Sequence, residues 1–359
     1  MNWCQRFQFC AKTNASVHLL LAEFRHFPEN APMSFDFTQP VRLESVCIPK
    51  PWGQEIWYTG MEARGESRVR LGADESVPLS VWLNADANAT SRGEDVLLLK
   101  ILDPAPKPVT GDLYFEVHSE KREVYVVTHV DPAAWPDGIG QIRFGMNQQR
   151  RREFADDQSF RSGYLQAVQS YEKVRRAIDS GTESPFIVMQ EMALRNRMES
   201  FTHQRELRIG DVVQVPTWFP HALQHGVRVV EFQTATYERL IVSFAQKVLT
   251  QDHWNTAAAV AGMSLDSGIE QPTEVITRGI ERIARFDHFN VWRAGGSAGE
   301  FALPPSLPYA IVMAVGGQVR AAGLVLDAEG ACLIPCAAVV NTRLQVAEGA
   351  QAFLAAPGL

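Results

Sequence analysis

The 359-residue sequence predicts a mainly β protein built of two antiparallel barrel-like units, the first interrupted by a helical insertion. Three observations carry this expectation. From Met33 to about His129, short alternating apolar runs are broken at close spacing by Gly, Pro, Asn and Asp, the pattern of an antiparallel sandwich or barrel. Between about Asp131 and Gln204 the apolar period changes to that of a helix. From Phe286 onward short strand patterns return, as a second and smaller β unit.

Taken in order, residues 1–32 hold Cys4 and Cys10 and lack a clean periodicity, so they read as an N-terminal extension outside the fold, with Met33 as the natural start. Strands are expected at Val77–Leu83, Val96–Leu102, Leu113–Val117 and Val124–Val127. The first unit then spans residues 33–130 and 205–250, around the insertion 131–204. Within the insertion, Tyr164, Leu165, Val168, Tyr171, Val174 and Ile178 recur at helical spacing until Ser180-Gly181 stops the run. A second helix opens at Ser184-Pro185, Ser as cap and Pro in the first turn; its Met189, Met192 and Met198 read as core. Strands resume at Leu207–Val215, Val227–Phe232 and Leu240–Phe244. Residues 251–285 are expected as a helical connection, because Thr273–Arg285 has the cap and spacing of a helix. In the second unit, 286–359, strands are expected at Phe289–Trp292, Tyr309–Val315, Gln318–Leu326, Ala331–Ile334 and Ala352–Leu354, with Gly316-Gly317 as a hairpin turn.

Composition narrows the function classes. A 46% hydrophobic and 21% charged chain is ordinary for a soluble globular protein. Net charge of −7 gives no sign of a nucleic-acid or anionic-membrane partner, and Arg150-Arg151-Arg152 reads as a solvated helix face. No apolar run approaches the roughly 18–20 residues of a membrane span. Five scattered cysteines fit a reducing compartment, with the cytoplasm as the expected location. Cys332 and Cys336 have no His or Cys beside them to complete a zinc site.

Two segments far apart in sequence carry the chemistry: Glu116-Val117-His118-Ser119-Glu120-Lys121-Arg122-Glu123, and Gly210 to Pro216 closing on Pro220-His221. They offer Glu116, His118, Glu123 and His221, two carboxylates and two imidazoles, a set suited to a divalent metal with positions left open. On a strand, Glu116 and His118 share one face, and Glu123 returns after a turn. The alternative for both histidines is a satisfied place in the core. Glu231 has a strand-face ion pair with Arg228 or Arg239 as its alternative, Lys121 a solvated turn, and Arg239 a structural role.

This spacing resembles the cupin family, whose first motif is His-x-His followed by Glu and whose second ends in Pro-x-Gly-x-x-His. Here Glu116 stands for a His, and Trp218 stands for the inner Gly. A narrower resemblance, to the class I mannose-6-phosphate isomerases, covers nearly all of the chain after Met33. Pro49-Lys50-Pro51-Trp52-Gly53 is similar to that family's opening, and Lys100-Ile101-Leu102-Asp103 to its Lys-Val-Leu-Asp. Lys121-Arg122-Glu123 is similar to its Lys-x-Glu, Gly210-Asp211 to Pro220-His221-Ala222 to its second metal motif, and Val230-Glu231-Phe232-Gln233 with Tyr237-Glu238-Arg239 to its later strands.

The resemblance implies two cupin (jelly-roll) barrels, with metal in the first only, and zinc ligated by Glu116, His118, Glu123 and His221. Manganese, iron and nickel are alternatives to zinc, since carboxylates harden the site. It implies that Glu231 and Lys121 face the reacting carbons and that Arg239 faces the anionic end of the substrate. The reaction implied is interconversion of mannose 6-phosphate and fructose 6-phosphate through an enediol. Glu116 in place of the family's Gln, the loss of about twenty residues between His118 and Lys121, and Tyr114 in place of a Ser near the phosphate keep two alternatives open. One is an isomerase of another sugar, and the other is a sugar-binding or regulatory protein without turnover. A dioxygenase fits less well, since such sites use more imidazole. The partner expected is a small sugar or sugar phosphate, and the sequence leaves the oligomeric state open.

Overall fold

The structure is a computed structural model that describes residues 35–86, 89–90, 95–182, 184–249, 251–268, 272–304 and 306–358. The expected extension at 1–32 and the start at Met33 lie outside these residues. Short strands pair antiparallel throughout the described residues, and the fold is mainly β. Among the described residues, no helix is long and apolar enough to cross a membrane.

Two sheets hold the chemistry-bearing residues. A six-stranded sheet runs Val212–Val215, Glu123–Val130, Val227–Gln233, Leu98–Pro104, Gly53–Trp57 and Val46–Lys50. A five-stranded sheet runs Thr202–Leu207, Gly140–Met146, His221–Leu223, Phe115–Val117 and Leu240–Ser243. They face each other through Leu102, Tyr125, Val213 and Val229 on one side and Phe144, Leu223 and Ile241 on the other. Side-chain contacts and not a backbone hydrogen-bond ladder join them, so the expected barrel takes the form of two open sheets packed face to face.

The helical block covers the other face of the five-stranded sheet. Phe115, Val117, Ala222 and Val242 share one core with Phe160, Tyr164, Val168 and Phe201. Because strand side chains alternate, placing Phe115 and Val117 against the helices turns Glu116 toward the six-stranded sheet; the same alternation separates His221 from Ala222. The helix Asp157–Asp179 is capped by Asp156, whose carboxylate accepts from Ser159 N–H at 2.7 Å. The helix Pro185–Glu199 begins as the sequence predicts, with Ser184 Oγ accepting from Ile187 N–H at 3.1 Å. Its methionines differ from expectation: Met198 is buried, but Met189 and Met192 are exposed.

A nine-stranded and a four-stranded sheet enclose a second core around Val312, Ile334, Leu344 and Leu354. Val41–Glu44 joins the nine-stranded sheet, pairing Val41 with Leu333, and Arg68–Arg70 and Ser76–Pro78 extend it. Early residues therefore complete the sheet of late ones.

Four local expectations are corrected. The run Val77–Leu83 is a strand only to Pro78; Leu79–Asn84 is a short helix that buries Leu79 and Trp82 on one side, three residues apart. Gly140–Met146 is a strand inside the supposedly helical block. Thr273–Arg285 is not a helix: Glu274–Thr277 and Ile280–Arg285 pair antiparallel, reversing at Gly279 with φ +79°. Helix in the expected connection 251–285 is confined, among the described residues, to Thr256–Gly262. Gly316-Gly317 makes no hairpin; it passes the chain from Tyr309–Val315 in the nine-stranded sheet to Val319–Ala321 in the four-stranded one.

Candidate metal centre

Glu116 and His221 are direct cross-strand partners in the five-stranded sheet. With His118, just past the strand end, they offer three ligand atoms all within 4.8 Å of one another. Glu123 begins the facing strand of the other sheet and reaches the same place. Its Oε2 lies 3.1 Å from His221 Nε2 and 3.6 Å from His118 Nε2. The three-way group comprises Glu116, His118 and His221, and Glu123 approaches it through the imidazoles.

Tautomers follow from the outer nitrogens. His118 Nδ1 donates to Glu238 O at 2.8 Å and His221 Nδ1 donates to Phe219 O at 3.0 Å. Each Nε2 then presents a lone pair to the cluster, the arrangement a metal-bound histidine adopts. His118 Nε2 is buried without a hydrogen-bond partner, as is Glu116 Oε2. A lone pair on His221 Nε2 facing a carboxylate oxygen at 3.1 Å calls for a proton or a cation between them. These residues fit a divalent ion.

Electrostatics agree with the donor set. Burial, with Lys121 close by, pushes His118 below the usual imidazole range and favours the neutral form that ligation needs. Burial alone would raise Glu123, but Lys121 and His118 hold it well below the usual carboxylate range. Tyr125 OH donates to its Oε2 at 2.8 Å, and Lys121 Nζ contacts its Oε1.

Beside the cluster is a cavity of about 440 Å³ whose polar lining includes Glu116, Lys100, Lys121, Gln233, Glu238 and Arg239. Lys121 and Arg239, singled out in the sequence, both line it. Glu231 does not; it is fully buried, with its Oε2 3.2 Å from Lys100 Nζ. Burial pushes Glu231 well above the usual range against the pull of Lys100. Lys100 itself, which burial alone would lower, is held above its ordinary value by Glu231 and Glu55. Arg239 Nε lies 4.0 Å from Glu116 Oε2, and its guanidinium sits 4.4 Å from the Tyr114 ring centre.

Sequence reasoning missed Lys100, Glu55 and Glu238 as site residues. Lys100 had a signal, a lone charge within the apolar run Leu97 to Leu102. Glu238 accepts from Ser119 N–H at 3.0 Å and Glu120 N–H at 3.2 Å, tying down the turn that follows His118. Trp218, standing for a glycine in the motif, adopts φ +60°. Its N–H donates to His118 O at 2.6 Å, so the strained residue links the two ligand segments.

No family model and no curated protein matches the chain. Among solved structures, it is similar to the mannose 6-phosphate isomerase of Bacillus subtilis, at 16% identity and TM-score 0.62, over 88% of this chain and 99% of that one. A zinc-bound mannose 6-phosphate isomerase is similar at 13% identity and TM-score 0.66, over 89% of this chain and 100% of that one. A mutant phosphomannose isomerase from Salmonella typhimurium is similar at 14% identity and TM-score 0.62, over 88% and 99%. At such identities the likeness establishes a shared fold.

Proposed function

We propose that the protein is a metal-dependent aldose–ketose isomerase, with mannose 6-phosphate and fructose 6-phosphate as its substrate pair. The observation that carries this reading is the convergence of Glu116, His118 and His221, with Glu123 beside them, next to a polar cavity that Glu116 lines, in a fold shared with such isomerases. Glu116, His118, His221 and Glu123 would hold the ion, zinc first, with manganese, iron or nickel as alternatives. When bound there, the ion supplies a Lewis acid for the oxygen on which charge develops. The free thiols of Cys47, Cys332 and Cys336 fit a reducing compartment, and the cytoplasm is the proposed location.

The chain's own residues divide the remaining work. Lys100 stays cationic between Glu231 and Glu55 and offers a fixed positive charge at the cavity wall for an enediolate oxygen. Glu231, buried behind the wall, positions Lys100 through their 3.2 Å ion pair, and Lys121, which lines the cavity and contacts Glu123, is the group for proton transfer between neighbouring carbons. Arg239 stands at the cavity edge for the anionic end of the substrate. A second reading, an unphosphorylated sugar, is favoured by one feature. Tyr114, where the resembling family has a Ser near the phosphate, is buried against Phe244 with ring centres 4.2 Å apart.

The test is turnover by purified, zinc-loaded protein. Conversion of mannose 6-phosphate to fructose 6-phosphate is expected, and His221→Ala should cut kcat/KM by about 100-fold or more while lowering bound zinc. Unchanged turnover in His221→Ala would overturn the mechanism. Zinc bound without turnover of any hexose or pentose, phosphorylated or not, would replace it with a sugar-binding role.

A further inference from the structure

The segment that joins His118 to Glu123 is fastened to a single stretch of chain, residues 234–238. His118 Nδ1 donates to the main-chain oxygen of Glu238 at 2.8 Å. Ser119 N–H donates to both oxygens of the Glu238 carboxylate at 3.0 Å, and Glu120 N–H donates to its Oε2 at 3.2 Å. Arg122 N–H donates to Thr234 Oγ1 at 3.3 Å, and Arg122 O accepts from Thr234 N–H at 3.1 Å. The receiving stretch is itself held in place. Buried Gln233 donates through Nε2 to Thr234 O at 3.0 Å and to Thr236 O at 3.2 Å. Leu240, two residues beyond Glu238, pairs with Val117, the neighbour of His118.

Glu238 grips this segment through two groups that do different work. Its main-chain oxygen sets the His118 tautomer, whatever side chain stands at 238. Its carboxylate gathers the N–H groups of residues 119 and 120, and a charged acceptor makes such bonds strong. Four residues separate His118 from Glu123, so the turn at 119–120 governs how the two candidate ligands stand to each other. We infer that Glu238 is a positioning residue of the metal centre: its carboxylate, acting through that turn, holds His118 in register with Glu123 and so sets the affinity and geometry of the bound ion. This rests on the metal-centre reading above but not on turnover. Without the carboxylate the imidazole keeps its tautomer and loses its place.

The experiment measures zinc affinity by chelator competition, and the absorption spectrum of bound cobalt(II), in full-length wild type, Glu238→Met and Glu238→Gln. Methionine is close to glutamate in size but offers the turn only a weakly accepting sulfur, whereas glutamine keeps an accepting oxygen. Glu238→Met should bind zinc about 10- to 100-fold more weakly, the usual cost of removing a partner that orients a ligand. Its cobalt bands should shift, because His118 is free to tilt. Glu238→Gln should recover most of the affinity and the wild-type spectrum. Zinc affinity in Glu238→Met equal to that of wild type would overturn the proposal. So would a lower thermal midpoint of the metal-free protein with the cobalt spectrum unchanged, the signature of a merely structural role. A Glu238→Gln variant as weak as Glu238→Met would assign the loss to charge and not to the turn, and would overturn it too. If Glu238→Met does not fold, Glu238→Ala is read by the same criteria. No zinc uptake by the wild type would remove the metal centre together with the positioning role, whereas normal uptake by every variant would remove the role alone.

Discussion

Glu55 shows how the buried charges beside the candidate metal centre are held. Its carboxylate lies 3.2 Å from Lys50 Nζ and 3.9 Å from Lys100 Nζ, and it accepts from Trp57 Nε1 at 2.7 Å. Burial would raise its pKa, but Lys100 and Lys50 lower it from 4.5 to about 2. A depressed carboxylate contributes stability that is fully present above its unfolded pKa and is lost as pH falls through the folded one. The contribution of Glu55 is therefore intact above about pH 4.5 and disappears toward pH 2. Glu55→Gln leaves two lysines facing each other without their shared counter-charge, and should cost about 3 kcal/mol at pH 7. Urea unfolding at pH 7 and pH 3 checks this. The variant's deficit should shrink at the lower pH, and a variant as stable as wild type at pH 7 would contradict the account.

At the scale of elements, the loop before His221 is set by a contact with a helix. A Cβ added to Gly262, in the helix Thr256–Gly262, would lie 2.5 Å from the Trp218 ring, so this glycine makes room for the indole. Gly262→Ala should displace Trp218, cost about 1–3 kcal/mol and weaken zinc binding without touching a ligand. Thermal unfolding and zinc titration read the two effects, and unchanged zinc affinity would show that the loop is held by other contacts. Elements were legible where local chemistry is specific. Ser184-Pro185 announces a helix start because a hydroxyl cap and a fixed φ act on their own neighbours. Thr273–Arg285 was illegible because Val275, Ile276, Ile280 and Ile283 recur at helical spacing, while the strand pair that forms has no alternating burial to announce it: Glu274–Thr277 is exposed throughout, and the turn at Gly279 decides the outcome. The exposure of Met189 and Met192 was hidden for a related reason. Their spacing marks a stripe, but not whether anything covers it.

For the whole molecule, two facing sheets place side chains separated by about a hundred residues within a few ångströms, as with Glu123 and His221. The sequence made the four candidate ligands legible because strand alternation and motif spacing are local rules. It left the row Glu55, Lys100 and Glu231 obscure, since that row depends on the register between strands. It also left unseen that Val41–Glu44 completes the sheet of the C-terminal half, a pairing across nearly 300 residues that no local pattern encodes. The most direct measurement is anomalous diffraction at the zinc edge from crystals of the full-length protein grown with zinc. The account predicts one strong peak bounded by Glu116, His118 and His221, with Glu123 turned toward it. Well-ordered crystals with no peak there, or with zinc bound elsewhere, would contradict it.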